Sequence, residues 1–400
     1  MRMVRPVFTL LCVLSMIASL SFVKLSLQEA SAQTKILKIG LITSVTGLMA
    51  PGFRQVVDAA KPAADYLNQK GGITVKGEKY RIETITTDDQ SSPQGAVSAA
   101  NKLIQDGVKF IIAPIFHPSN IAIASICEEA KILRLVPISA NPESSGPPNK
   151  YSFNGESTSC NVPYVYEKIK ALYPRVKRIA ITLPDDPGGK LVMSLVEKEV
   201  KKWDMEIVFS EAYRVPTEDF YPLLTKALAQ KPDAIECIYG IVPFIKAIVE
   251  QAREMGFTGP ISSVAPSGDV NQLKDALAPE YAYDVCMVTP DVLSEGMPTL
   301  VKDFGKIIQK ATRDKYNFAH VFTLQAVWQI AQGIEKAQSF ETDKVVSALE
   351  NAKSIETPYG PGRFIGQEIV GKNRLFLRPI PFSRLMKGGK METELLPVKY

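Results

Sequence analysis

The stretch of sequence that decides the fold runs from Ile36 to Gln90 and reads ILKIGLITSVTGLMAPGFRQVVDAAKPAADYLNQKGGITVKGEKYRIETITTDDQ. Its first part, 36–43, is a short apolar run bounded by turn formers, which predicts a strand buried on both faces of a parallel sheet. A loop is expected at 44–53, and apolar residues at near-helical spacing over 56–67 predict a helix that ends at a pair of glycines. Alternating, β-branched residues at 80–87 predict a second strand that ends in two aspartates. The stretch is therefore one βαβ unit.

The same alternation continues through most of the chain. Further strands are predicted at 110–115, 133–139, 178–183, 206–212, 234–239, 261–265 and 285–289, and helices at 94–105, 120–130, 162–172, 190–202, 220–229, 243–255 and 304–315. Strands that alternate with helices imply parallel sheets covered by helices. A segment rich in proline, serine and glycine at 141–159 predicts the boundary between two similar lobes. Nearer the C-terminus, 321–337 and 343–351 are predicted as helices, and 362–385 and 392–400 as antiparallel hairpin strands.

The N-terminus has the layout of a secretory signal. Arg2 and Arg5 precede an apolar run at 6–23, and small residues end at Ala32. We expect cleavage after Ala32 and a location outside the cytoplasm. A retained membrane anchor is the alternative, because the run approaches the roughly 18 residues at which spanning becomes feasible. Loss of residues 1–32 removes three basic residues and one acidic residue, which changes the formal charge from +5 to +3 and does not favour nucleic acid as a partner.

The cysteines and histidines offer little material for catalysis. The mature chain keeps Cys127, Cys160, Cys237 and Cys286, and their spacing lacks the close pairs of a zinc or redox site. We expect buried thiols, and one disulfide is the alternative in an oxidising compartment. The sequence contains no G-x-S-x-G, H-E-x-x-H, G-x-x-x-x-G-K-[ST] or EF-hand pattern. Asp185-Asp186 is interpreted as a polar turn that opens a helix. We therefore expect no enzyme, no cofactor and no metal.

Ligands of parallel sheets bind at the carboxyl ends of the strands, so the loops that follow the strands are the candidate sites. These loops are 44–53, 88–92, 116–119 and 139–141 in the first lobe, and 184–189, 240–243 and 266–269 in the second. In the loop Phe116-His117-Pro118-Ser119, Ser119 or Asn120 is expected to cap a helix whose free backbone N–H groups bind a carboxylate. Capping alone is the simpler alternative. His117 either contacts an anionic ligand or faces water.

Several motifs resemble those of the type I periplasmic solute-binding proteins, specifically the leucine/isoleucine/valine-binding family that serves ATP-driven importers. They are KIGLITSVTG at 38–47, NQKGGI at 68–73, DDQSSP at 88–93, AANKLI at 99–104, NPE at 141–143 and QAREMG at 251–256. The resemblance spans nearly the whole mature chain. It implies an α/β fold of two Rossmann-like lobes with parallel sheets, joined by three crossovers around a ligand cleft. Lobe 1 would comprise 33–155 plus 290–358, and lobe 2 would comprise 156–289 plus 359–400.

The resemblance also implies a site. The family clamps an amino acid's carboxylate with backbone N–H and hydroxyl groups from two first-lobe loops, which resemble 116–119 and 139–141 here. The ligand-binding residues that we expect are Phe53, Phe116, His117, Ser119, Ser139, Ala140, Asn141, Gly188, Ile241, Ser267 and Asp269.

This chain departs from the family pattern at three of these positions. Ser267 matches the position of the acidic residue that pairs with the ligand's ammonium group, and Asp269 is the substitute if the loop is shifted. His117 stands where the family's clamp has a serine, and Gly188 stands near the position of a second-lobe tyrosine. A buried ammonium group needs a carboxylate partner. The departures therefore lead to the hypothesis of a carboxylate ligand without a free amine, such as an aromatic or aliphatic acid, beside the family's amino acids.

The function expected from the sequence is that of a non-catalytic, monomeric substrate-binding protein of an ABC importer. It would close on a small-molecule ligand and present both lobes to a membrane permease, because the ligand contacts both lobes only in the closed state. A ligand-sensing subunit of a membrane receptor is the alternative. An enzyme on the same scaffold would need a set of acid, base or nucleophile that the sequence lacks.

Overall fold

The computed structural model describes residues 35–139, 146, 148–185, 187–214, 216–238, 240–264, 268–312 and 315–399. The strands are β1 (Lys35–Thr43), β2 (Ile73–Val75), β3 (Glu78–Asp88), β4 (Phe110–Ile112), β5 (Leu133–Val136), β6 (Ser152–Asn154), β7 (Arg178–Pro184), β8 (Glu206–Tyr213), β9 (Ala234–Cys237), β10 (Ile261–Ser263), β11 (Val285–Met287), β12 (Arg363–Ile365), β13 (Leu375–Leu377), β14 (Ile380–Met386) and β15 (Lys390–Leu396). The helices are α1 (Ala50–Gln69), α2 (Pro93–Gln105), α3 (His117–Ala122), α4 (Ala124–Glu129), α5 (Val162–Leu172), α6 (Pro187–Lys202), α7 (Tyr221–Ala229), α8 (Val242–Glu254), α9 (Val270–Ala276), α10 (Thr299–Ala311), α11 (Phe318–Ala337), α12 (Thr342–Glu350) and α13 (Gln367–Val370).

The strands form two sheets, one in each lobe. The first sheet has the order β12-β13-β6-β5-β4-β1-β3-β2, and the second has the order β15-β14-β11-β10-β9-β7-β8. The centre of each sheet is parallel, as predicted. The edges are not, because β2 pairs with β3, β12 with β13, β11 with β14 and β14 with β15 in antiparallel fashion. The two sheets are therefore mixed rather than purely parallel.

The predicted βαβ unit is present in the first sheet, near the edge that ends in β2. β1 runs parallel to β3 from the pair Lys35 and Tyr80 to the pair Thr43 and Asp88. The intervening helix begins at Ala50, so the predicted loop 44–53 was too long. A proline in the first turn explains the early start, because its missing N–H would have no partner there in any case.

The C-terminal segment is divided between the sheets, which corrects the assignment of 359–400 to lobe 2. β12 and β13 join the first sheet, and only β14 and β15 join the second. Successive side chains of a strand point to opposite faces, so β13 serves two cores. Phe376 packs into the first-lobe core, whereas Leu375 and Leu377 pack with second-lobe residues.

The chain passes between the sheets through connections at 155–161, 288–298 and 378–379. The last of these is only two residues long, because β13 in the first sheet is followed almost at once by β14 in the second. Apolar clusters cover both faces of each sheet. None of the helices in the described ranges has the length and apolar character that a membrane span requires.

Candidate functional site

The loop after β1 is held in place by the two aspartates that end β3. Oδ1 of Asp88 accepts the backbone N–H groups of Val45 at 2.9 Å and Thr46 at 3.1 Å. Oδ1 of Asp89 accepts the hydroxyl of Ser44 at 2.6 Å. The two carboxylates therefore fix the backbone at the carboxyl end of the sheet, and this structural role explains the acidic pair in the sequence.

The environment of Asp88 favours its charged form. Burial alone would raise the pKa of this carboxyl, but hydrogen bonds from Thr46, Gln90 and Val45 outweigh burial and lower the pKa. Asp88 consequently remains an anion that is already engaged by the loop. Its negative charge would repel an anionic ligand. Its role is to hold the backbone of the loop after β1 in position.

The loop at 116–119 differs from the prediction. Helix α3 begins at His117, with Phe116 as the N-cap residue and no side-chain cap. Ser119 and Asn120 therefore lie inside the helix and do not cap it. The buried hydroxyl of Ser119 donates to the backbone oxygen of Ser92 at 3.4 Å, which joins the loops after β3 and β4.

Asn120 is the anchor of α3 on the sheet below. Its backbone oxygen and its side-chain oxygen both accept from Nη1 of Arg134, a buried residue of β5. Burial lowers the pKa of the Arg134 guanidinium. His117 and Pro118 are exposed at the start of the helix, and Phe116 is half-buried. Of the two alternatives for His117, the structure shows an exposed side chain that faces solvent.

The third first-lobe loop is described in part. Ser139 donates its backbone N–H to the oxygen of Glu156 at 3.0 Å, and Nδ2 of Asn154 donates to the oxygen of Ser139. Ser139 also forms a parallel bridge with Ser157. Ala140 and Asn141 lie outside the described residues. Phe53, predicted as a loop residue, lies in the first turns of α1, half-buried against the first-lobe core.

In the second lobe, Asp269 is the buried acidic residue at the carboxyl edge of the sheet. Its Oδ1 accepts the backbone N–H groups of Asn271 at 2.8 Å and Gln272 at 3.3 Å, so it caps α9. Its Oδ2 is buried and has no hydrogen-bond partner among the described residues. Burial raises the pKa of Asp269, against the opposing effect of nearby N–H groups. The N–H of Phe318, at the start of α11, is near enough to contribute to this effect but forms no hydrogen bond with Oδ2. Asp269 thus reaches a helix that packs in the first-lobe core.

The other predicted second-lobe residues are less informative. Gly188 lies in the first turn of α6, next to Gly189, where a Cβ atom would stand 2.7 Å from the backbone oxygen of Pro184. Ile241 is the N-cap residue of α8 and is 39% exposed. Ser267 lies outside the described residues. The structure therefore places Gly188, Ile241 and Asp269 on one edge of the second sheet.

Apolar side chains are exposed on this same edge in both lobes. They are Val45, Leu48 and Ile121 in the first lobe, and Ile241 and Leu293 in the second. Of these, only Ile241 was predicted as a site residue. The sequence signal that was missed is an apolar residue inside a loop after a strand, where polar residues are the norm.

Two buried charged residues were missed because each looks ordinary in the sequence. Glu236 is a single acid in the apolar strand β9, and it is buried with no ion pair to any of the described residues. Arg378 lies in the two-residue connection between β13 and β14 and forms a buried ion pair with Glu156. A charge within an apolar run was the available signal in both cases.

Comparison with known proteins agrees with this architecture. The family model described as "Periplasmic binding protein" matches residues 36–389. The chain belongs to this family.

The relatives of this family member include transport proteins with known ligands. Over 340 residues it is 28% identical to a Leu/Ile/Val-binding protein of Citrobacter freundii, covering 82% of this chain and 87% of the relative. Among solved structures, it is similar to the branched-chain amino acid transporter substrate binding protein LivJ of Streptococcus pneumoniae in complex with isoleucine. The TM-score is 0.71 and the identity 20%, over 90% of this chain and 99% of that one. A solute binding protein of R. palustris in complex with benzoate is also similar, with a TM-score of 0.68, 18% identity, and coverage of 90% and 96%.

Proposed function

We propose that this periplasmic binding protein is the extracytoplasmic substrate-binding subunit of an ABC importer, and that it binds a small amino acid by closure of its two lobes. Family membership over 36–389 supports the general role. The names of its sequence relatives, which include Leu/Ile/Val-binding proteins, support branched-chain amino acids as the ligand class.

The ligand's carboxylate would bind at the first lobe. The loops after β1, β3 and β4 are tied together there by Asp88, Asp89 and Ser119, so the backbone N–H groups at the start of α3 are held in position. His117 is exposed beside them. Backbone N–H groups and a histidine are suitable donors for a carboxylate. Phe116, Ser139, Ala140 and Asn141 complete this proposed contact set.

The single observation that carries the amino-acid assignment is the unpaired Oδ2 atom of Asp269. A buried carboxylate oxygen without a hydrogen bond costs roughly 1–3 kcal/mol, and an ammonium group would remove that cost. Asp269 therefore takes the role of the acid that is missing at Ser267. The exposed apolar residues on the same edges, among them Ile241, suit a ligand with an apolar side chain.

Closure would bring the two half-sites together. Each lobe supplies contacts from the carboxyl edge of its sheet, and the lobes are joined by short connections such as 378–379. A solute that contacts both edges stabilises the closed arrangement, which is the form presented to a membrane permease. Export by a signal peptide cleaved after Ala32 and action as a monomer complete the proposal.

A second ligand class is favoured by one feature of the sequence. Ser267 stands where the family has an acid, and an amine-free acid would need no such partner. The benzoate complex of the similar R. palustris protein supports carboxylic acids of this kind. A role as the sensing subunit of a membrane receptor would use the same closure and differs only in the partner.

A thermal-shift screen of residues 33–400 separates these possibilities. Leucine, isoleucine and valine are compared with benzoate and aliphatic acids, because a ligand that binds only the native state raises the melting temperature. We expect branched-chain amino acids to raise it and amine-free acids to have no effect. The converse pattern would transfer the assignment to carboxylic acids, and no shift with either class would contradict both.

A further inference from the structure

Arg378 lies in the shortest connection between the lobes, which has only two residues between a strand of the first sheet and a strand of the second. β13 ends at Leu377 and β14 begins at Ile380. Any rotation of one lobe against the other must therefore pass through Arg378 or Pro379 on this connection. The side chain of Arg378 is nevertheless buried, with 2% relative exposure.

The guanidinium of Arg378 is bonded in several directions. Nη2 forms a buried ion pair with Glu156, which lies in the connection 155–161. Nε donates to Oε1 of Gln325 on α11 at 2.8 Å, and the group stacks over Tyr359 at 4.1 Å from the ring centre. Nη1 donates to the oxygen of Pro379 at 2.8 Å. One side chain thus links two interlobe connections to the long helix of the first lobe.

The first connection is pinned to the same helix. The backbone oxygen of Gly155 accepts from Nε2 of Gln325 at 2.8 Å and from Nε2 of Gln329 at 2.9 Å. A Cβ at Gly155 would lie 2.7 Å from Leu135 and 2.8 Å from Gln329, so a larger residue would require both side chains to shift. Two residues on, Ser157 donates its N–H to Phe376 of β13. The chain therefore remains attached to the first lobe as far as Ser157.

We propose that Arg378, Glu156 and Gln325 form a hinge base, a rigid cluster that makes the connections at 155–161 and 378–379 part of the first lobe as far as Ser157 and Arg378. On these two connections the pivot is then confined to the residues that follow. The three residues position the lobes and do not touch the ligand. The inference rests on the proposed closure of the lobes, and it adds which residues limit that motion.

The physical reason is the cost of breaking the cluster. A buried charge that loses its partner is strongly disfavoured, and the side-chain acceptors of this guanidinium are Glu156 and Gln325. Lobe motion that keeps the cluster intact is therefore preferred over motion that opens it. Gln325 is the key link because it contacts both connections, whereas Gln329 contacts only the first.

Gln325→Leu and Gln329→Leu form a matched pair for the test. Both remove a side-chain donor to the backbone oxygen of Gly155, and only Gln325→Leu also removes the oxygen that accepts from Nε of Arg378. Spin labels are placed on exposed sites of the two lobes by Lys102→Cys and Lys198→Cys. The interlobe distance distribution is then measured by electron spin resonance in the ligand-free protein. Because no ligand is added, the result is independent of the ligand assignment.

We expect Gln325→Leu to widen the distance distribution to about twice its wild-type width, as more lobe orientations become populated. Gln329→Leu is expected to leave the width near that of the wild type. An unchanged width in Gln325→Leu, or equal widening in both variants, would overturn the proposal. If Gln325→Leu does not fold, the same distance measurement is made on Arg378→Lys. Lysine keeps a positive charge beside Glu156 and lacks the Nε atom that donates to Gln325. Widening is then expected, and an unchanged width contradicts the hinge base.

Discussion

Inside the second sheet, Oε1 of Glu236 accepts the backbone N–H of Val264 at 2.9 Å. The other carboxylate oxygen accepts the hydroxyl of Ser262, on the neighbouring strand. No ion pair within the described ranges includes Glu236, which is 1% exposed. Burial raises the pKa of Glu236 to about 7, against the opposing effect of these two hydrogen bonds. The end of β10 is thus held by a carboxyl that titrates near neutral pH.

The first prediction concerns the pH dependence of stability. A carboxyl whose folded pKa exceeds its ordinary value of 4.5 ionises first in the unfolded chain, so the free energy of unfolding falls as pH rises from 4.5 to about 7. The shift corresponds to about 3 kcal/mol. Glu236→Gln has no carboxyl to ionise at this position. We therefore expect the free energy of unfolding to fall less between pH 5 and pH 8 in the variant than in the wild type.

Urea unfolding of Glu236→Gln at pH 5 and pH 8 checks this prediction. Glu167→Gln is the control, because Glu167 lies exposed on α5. If the wild type and Glu236→Gln lose stability equally between the two pH values, Glu236 does not titrate in the way that its burial implies.

The second prediction concerns the loop after β1. Asp88→Asn removes a charge that accepts hydrogen bonds from Val45, Thr46 and Gln90. We expect a loss of about 1 kcal/mol in the free energy of unfolding at pH 7, since hydrogen bonds to a charged acceptor are stronger than those to a neutral one. The lowered pKa of Asp88 gives stability that is present above pH 4 and lost as pH falls through the folded pKa.

Thermal unfolding of Asp88→Asn and the wild type at pH 7 and pH 3 measures this effect. The difference between them should shrink at pH 3, because the stability that the lowered pKa of Asp88 gives the wild type declines once the pH lies below the ordinary pKa of 3.8. The exposed Asp106 offers a control substitution, Asp106→Asn. A difference that persists undiminished at pH 3 would show that charge is not its cause.

Most of the fold could be predicted from the sequence, because local periodicity and the order of elements determine a parallel α/β arrangement. The division of the C-terminal segment could not. Leu375, Phe376 and Leu377 form one apolar run, and only the structure shows that alternate members of that run face different cores. The antiparallel hairpin strands predicted near the C-terminus are confirmed by the pairs β12–β13 and β14–β15. The antiparallel pairing of β2 with β3 and of β11 with β14 was not predicted, since short strands carry no signal of their direction.

The position of the loops at the candidate site could be predicted, and their contacts could not. The loops after the strands were correctly expected to gather at one edge, because that follows from parallel pairing. The predicted helix start at residue 120 lies three residues after the observed start of α3 at His117: Ser119 resembles a capping residue in sequence, yet it is buried within the helix. The ion pair of Arg378 with Glu156 joins residues far apart in sequence, which one sequence does not reveal.

The third prediction concerns the cysteines. All four cysteines in the described part of the chain, Cys127, Cys160, Cys237 and Cys286, are buried free thiols. Burial raises the pKa of each, to about 11 for Cys127 and Cys160 and about 12 for Cys286. The thiolate is the reactive form. We therefore expect no reaction of native residues 33–400 with a thiol reagent at pH 8, and reaction of all four thiols after unfolding.

A thiol titration without reductant makes this test direct. After unfolding, protein purified from an oxidising compartment should have the same number of reactive thiols as protein made under reducing conditions. The appearance of only two reactive thiols after unfolding would mean that a disulfide forms, contrary to the structure.

The fourth prediction concerns the ligand, and calorimetric titration of leucine tests it most directly. Residues 33–400 are compared with Asp269→Asn and with Asp275→Asn, whose altered side chain is exposed on the same helix. We expect the wild type and Asp275→Asn to bind leucine, and Asp269→Asn to bind it at least about tenfold more weakly, because a buried ammonium group loses its charged partner. Equal leucine affinity in all three proteins would contradict the role of Asp269, and binding of benzoate without leucine would contradict the amino-acid assignment itself.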